Sequence, residues 1–118
     1  MRRVFGNAVV VLALFCCFPA SLWAQLADSQ LEQGFQAYKD ARYQEAIQYF
    51  QGAASLDPQN KVAHSYLAAS YTQQYIPGVH TPENLQMGQA AIEQYHIVLE
   101  LDPKSLEASK ASLTLICK

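Results

Sequence analysis

The residues able to do chemistry in this 118-residue chain are few and scattered. His64, His80 and His96 are 16 residues apart and none has a partner at i+4, so no pair shares a helix face as a metal site requires. Cys117 has no neighbouring Cys or His in sequence, and Cys16 and Cys17 stand far from it in an apolar run. No zinc spacing, nucleophile elbow, Walker loop or dinucleotide fingerprint occurs. The carboxylates are spread as on solvated helix faces. The chain therefore reads as a non-enzyme with no cofactor and no metal. What remains is a set of tyrosines and phenylalanines (Tyr38, Tyr43, Tyr49, Phe50, Tyr66, Tyr71, Tyr75, Tyr95), which can pack a core or line a surface that holds another chain.

The elements that position these rings begin after a segment of different character. Residues 1–24 contain no acid and two bases, Arg2 and Arg3. Residues 8–18 are an unbroken apolar run of 11, Pro19 interrupts it, and Ser21-Leu22-Trp23-Ala24 follows. That order of positive start, apolar stretch and small-residue end is a secretory signal, with cleavage expected after Ala24. A retained anchor is the alternative, since residues 4–23 reach the length of a span but include Asn7, Pro19 and Ser21. Lipidation fits poorly, because Phe15 and Cys16 precede the two cysteines. Twin-arginine export lacks the Leu-Lys expected after Phe5. The expected location is secreted or periplasmic, or inner-membrane anchored by an uncleaved signal.

Residues 25–118 carry six Lys/Arg against ten Asp/Glu, a net charge of −4, with no basic patch. A nucleic-acid partner is not expected, nor a membrane once the signal is removed. Within this part the sequence repeats. Residues 43–58 (YQEAIQYFQGAASLDP) and 88–103 (GQAAIEQYHIVLELDP) align at a constant offset of 45. They match at Ala46/Ala91, Ile47/Ile92, Leu56/Leu101, Asp57/Asp102 and Pro58/Pro103, with Phe50 against Tyr95. Apolar positions at i, i+1, i+4, i+7 and i+8 make each copy a helix, and each proline ends it. Residues 28–40 and 62–75 are the preceding helices. Gly34 and Ala68 are expected at close crossings, opposite Ala46 and Ala91. Helix, turn, helix, proline, repeated, is a helical hairpin array.

The first unit, residues 27–60, resembles a tetratricopeptide repeat almost end to end, with Gly34, Tyr43, Ala46, Phe50, Ala53 and Pro58 on the characteristic positions. Gln30 and Gln33 stand where that family has Trp and Leu. The second unit, residues 61–103, keeps Leu67, Ala68, Tyr71, Ala91, Tyr95 and Pro103 but carries an insertion at 76–86. Pro77-Gly78 marks a turn there, and Thr81-Pro82-Glu83 a helix start that runs on to Leu101. Residues 104–118 form a further amphipathic helix on Leu106, Ser109, Lys110, Leu113 and Ile116, either the first helix of a third unit or a cap. The resemblance implies an all-α fold of tetratricopeptide-like antiparallel helix pairs in a right-handed superhelical array: two repeats plus a C-terminal helix.

The resemblance also implies a concave face that binds a protein or peptide partner. Carried over position by position, that face holds Leu31, Phe35, Tyr38 and Lys39, then Ser65, Ala69, Thr72 and Gln73. Some members of the family grip a terminal carboxylate with Lys and Asn; Leu31 and Phe35 occupy those positions here, which argues against that mode. The expected role is an adaptor or assembly factor. The alternative is a structural subunit that self-associates through its apolar tail, or packs into a larger envelope complex.

Overall fold

A computed structural model describes residues 19–117. The first 18 residues, with Arg2, Arg3, the apolar run, Cys16 and Cys17, lie outside the described residues, as does Lys118. Among the described residues there are five helices and no strand: α1 (Ala20–Lys39), α2 (Tyr43–Leu56), α3 (Lys61–Gln74), α4 (Pro82–Leu101) and α5 (Leu106–Ile116). Each packs on the next in chain order, α1 on α2, α2 on α3, α3 on α4 and α4 on α5. In the first pair Gly34 faces Phe50 while Tyr38 meets Tyr43, so the two helices run antiparallel. In the second, His64 meets Gln94 while Tyr75 lies on Gly88, again antiparallel. These are the consecutive all-α hairpins that the repeat implies. None of the described helices is long and apolar enough to cross a membrane.

The helix ends follow from local chemistry. Pro19 stands before α1 with an extended backbone, and α1 begins at Ala20, eight residues ahead of the expected Asp28. The intervening sequence SLWAQLA contains no helix breaker, so nothing holds the start back to the first acid. At the other end Ala41 takes a left-handed conformation, φ 58°. Its N–H donates to the Tyr38 carbonyl at 3.1 Å, and the Arg42 N–H donates to the Ala37 carbonyl at 2.9 Å. This pair of bonds is the Schellman motif, which closes a helix through a left-handed residue.

The two copies of Asp-Pro do the same thing twice. Asp57 and Asp102 take near-identical backbone angles, φ −138°, ψ 88° and φ −141°, ψ 88°, outside the helical region because a proline follows. Each aspartate then accepts from the N–H two residues on, Gln59 at 3.3 Å and Lys104 at 3.2 Å. Three residues past each aspartate, Asn60 and Ser105 accept from first-turn N–H groups as the N-caps of α3 and α5. Between α3 and α4 the chain makes a tight turn. Ile76 accepts from Val79 across a Pro77-Gly78 turn in which Gly78 has φ 82°. Thr81 then caps α4, with Pro82 in its first turn. The α4 helix has 20 residues where α2 has 14.

The core is made mostly of small side chains around one large one. Ala37, Ala46, Ile47, Phe50 and Leu67 are buried, with Leu31, Phe35, Tyr38, Tyr49 and Tyr71 packed against them. Phe50 is completely enclosed. A Cβ at Gly34 would lie 2.7 Å from Phe50 Cε1, so the Phe50 ring occupies the space Gly34 leaves. The tail helix packs through its small residues. It turns Ala108 and Ser112 inward, while Leu106, Leu113 and Ile116 are exposed. Small residues let α5 approach α4 closely, and that approach decides which face goes in.

A left-handed alanine carries a steric cost that glycine avoids, offset in part by glycine's greater freedom when unfolded. Ala41→Gly should therefore raise unfolding stability by about 0.5–1 kcal/mol. Urea denaturation read by circular dichroism tests this, and a loss of stability would show that Ala41 makes contacts outweighing its backbone strain.

Candidate functional site

The eight residues expected on the concave face fall into two groups. Leu31, Phe35 and Tyr38 are half-buried on α1 and pack against the core, and Lys39 is exposed at the end of that helix. The Gln73 side chain on α3 lies near the Tyr38 phenol. Burial pushes the Tyr38 phenol above its ordinary range, the Gln73 side chain opposes that shift, and the nearby Tyr43, Tyr95 and Tyr66 phenols add to it. The structure thus brings Phe35, Tyr38 and Gln73 together. Ser65, Ala69 and Thr72 instead lie along a line of clefts bordered by α5.

The side chain that joins the two groups is Tyr66, absent from the expected face. Its ring meets Phe35 edge-on at 4.7 Å and Tyr38 at 5.6 Å with an 88° interplanar angle, and it lies 5.5 Å from Phe50. Tyr38 in turn meets Tyr43 at 5.4 Å. Edge-to-face contacts of this kind are favourable and fix ring orientation. Tyr66 keeps 38% of its surface exposed, so the ladder reaches the outside between α1 and α3. On its far side Tyr66 lines a cleft of about 260 Å³ with Ser65, Ala69, Tyr95, Ser105, Glu107, Ala108 and Ala111. One further cleft, about 210 Å³, is lined by Thr72, Tyr75, Pro77, Ala111, Thr114 and Leu115. The Thr72 hydroxyl is committed to the Ala68 carbonyl at 2.8 Å.

Sequence gives some signal for the second group. The offset of 45 continues past Pro103, since Ser105 repeats the capping role of Asn60. This makes α5 the counterpart of α3, and a neighbour of the α3 face follows from it. Nothing in the sequence marks Tyr66 as the joining ring, because it sits among ordinary apolar helix positions.

Buried polar groups in the second hairpin are all accounted for. His64 Nε2 donates to the Pro58 carbonyl at 2.9 Å, and its Nδ1 lies 2.7 Å from the Gln94 side-chain amide. The amide atom at Nδ1 is Gln94 Oε1. His64 ties the turn between the repeats to α4. Asn84 is also buried. Its amide donates to the carbonyls of Ile76 at 2.8 Å and Val79 at 2.7 Å, and its oxygen accepts from the Ile76 N–H at 2.7 Å. One side chain therefore holds the inserted loop whose Pro77 borders the second cleft.

Three ion pairs join charged side chains among the described residues. Arg42 bridges Asp40 and Glu45, and Lys61 reaches Asp102 at 3.1 Å. The Lys61 hydrogen bond, then the Lys104 N–H and the Lys61 charge, hold Asp102 below its usual carboxylate range. A depressed acid favours folding above its unfolded pKa, and that gain is lost as pH falls through the folded value; solvent screening keeps it small here. Among the described residues no cluster of three or more His, Cys, Asp or Glu is placed to hold a metal ion, and Cys117 is exposed and unpaired.

No family model matches this chain, and no curated protein does. Among solved structures, the chain is similar to the first TPR of Spaghetti (RPAP3), determined bound to the HSP90 peptide SRMEEVD. The identity is 21% and the TM-score 0.42, over 79% of this chain and 92% of that one.

Asn84→Ala removes three hydrogen bonds and leaves two backbone carbonyls and one N–H of the loop without their partner. We expect a loss of about 1–3 kcal/mol, with exchange protection of the Ile76 amide lost first. Hydrogen exchange followed by NMR measures it; unchanged protection at Ile76 would mean the loop is held by something else.

Proposed function

We propose that this chain is an exported protein-interaction module, an adaptor or assembly factor that holds a peptide or partner segment along the α1/α3 face. The observation that carries the reading is the partly exposed aromatic ladder of Phe35, Tyr38 and Tyr66, built on rigid helices and flanked by exposed Lys39 and Gln73. Rings fixed by edge contacts lose little freedom when a partner lands on them. Tyrosine offers both apolar area and a hydroxyl, as binding surfaces use it. Export rests on the N-terminal sequence pattern alone, with the mature chain starting at Gln25 and acting in the periplasm or at the envelope.

A second reading has its own support. Leu106, Leu113 and Ile116 on α5 are 72%, 58% and 60% exposed, an apolar strip suited to self-association or to packing in a larger complex.

One experiment separates them. A C-terminally tagged full-length protein is crosslinked in the cell and its co-purifying proteins are identified by mass spectrometry, together with its own N-terminal residue. The module reading predicts one or two envelope proteins, lost with Phe35→Ala and with Lys39→Ala. Since Phe35 packs on Phe50, its variant is checked for an unchanged helical spectrum, whereas Lys39 is exposed and needs no such control. Recovery of the protein alone would instead favour self-assembly. An N-terminus other than Gln25 would refute the cleavage site.

A further inference from the structure

The proposed face ends at the α3/α5 cleft, and its lining has a particular chemistry. Two tyrosines, Tyr66 from α3 and Tyr95 from α4, and two serines, Ser65 and Ser105, surround it, with small floor residues Ala69, Ala108 and Ala111. Glu107, in the first turn of α5, is the only charged residue in the lining. It forms no ion pair among the described residues, and Lys110, one turn further along α5, does not reach it. At about 260 Å³ the cleft is smaller than the roughly 300–1,000 Å³ of small-molecule sites, which suits one side chain of a larger partner. Aromatic walls attract a cation through the negative face of the ring, and an unpaired carboxylate attracts one directly. An anionic group would be repelled by Glu107, and a purely apolar one would strip water from that carboxylate with nothing in return. The net charge of −4 over residues 25–118 pulls in the same direction.

We infer that the α3/α5 cleft seats a basic side chain, arginine or lysine, of the partner segment, with Tyr66 and Tyr95 as its aromatic walls and Glu107 as its counter-charge. This rests on the proposed interaction role and adds the chemical class that the partner presents. Arginine fits better than lysine, because a planar guanidinium stacks on a ring while bonding a carboxylate. The Ser65 and Ser105 hydroxyls can accept from its remaining N–H groups.

The test uses full-length, isotope-labelled protein titrated with N-acetyl-arginine amide, N-acetyl-lysine amide and N-acetyl-glutamine amide, read by NMR. Both cationic compounds should shift the amides of Ser65, Ala69, Ala108 and Ala111 in a saturable way, arginine at the lower concentration, and the glutamine compound should not. Glu107→Gln and, separately, Tyr95→Leu should weaken the arginine titration about threefold to tenfold. Equal shifts from the glutamine compound, no shift from either cation, or a titration indifferent to Glu107→Gln would overturn the inference. Any partner captured by crosslinking distinguishes this from the broader reading. Loss with Lys39→Ala but not with Glu107→Gln overturns the basic-side-chain subsite alone, and indifference to both overturns the two together.

Discussion

The contact between the Phe50 ring and Gly34 sets the spacing of the first hairpin, and the rest of the array is built outward from it. With no Cβ at Gly34, α1 comes close enough for the ring to lie against its backbone, less than 3 Å from where a Cβ would stand. The same ring touches Phe35 on α1 at 5.5 Å and Tyr66 on α3 at 5.5 Å. One side chain thus fixes the gap between α1 and α2 and the placement of α3 against both. The partly exposed rings of Tyr38 and Tyr66 are the outer edge of this packing, so they inherit the rigidity of the core.

The second hairpin is stabilised differently. Where the first has Phe50, the aligned position holds Tyr95, only half-buried and turned to the cleft. Polar side chains take over the work of joining parts. His64 links a turn to α4, and Asn84 holds the inserted loop, each with its hydrogen-bonding groups satisfied. A buried polar group that is fully bonded specifies a position more sharply than an apolar contact does, at little net gain in stability.

Much of the architecture was legible in the sequence because it depends on local rules. Asp-Pro at a constant offset marks where α2 and α4 stop, and Thr81-Pro82 marks where α4 begins. What was not legible depends on register and approach. The start of α1 at Ala20 is hidden in the sequence because Ser21-Leu22-Trp23-Ala24 reads as the small-residue end of a signal. That the space Gly34 leaves takes the Phe50 ring is decided by the inter-helix distance, which the sequence does not carry. In α5 the apolar pattern marks a helix but not which face turns inward: Ala108 and Ser112 do, while Leu106, Leu113 and Ile116 stay exposed. Of the proposed face, Phe35, Tyr38 and Gln73 do come together, but the ring that unites them, Tyr66, carried no distinguishing pattern.

The central claim is that Gly34 and Phe50 act as one interlocking unit. A double-mutant cycle with Gly34→Ala and Phe50→Leu, measured by urea denaturation, tests it most directly. If the account is right, the alanine costs markedly less when Leu replaces the ring, and the two changes couple by about 1 kcal/mol or more, inside the range for residues in contact. Costs that simply add would show that the ring does not depend on the space Gly34 leaves, and the spacing of the hairpin would need another origin.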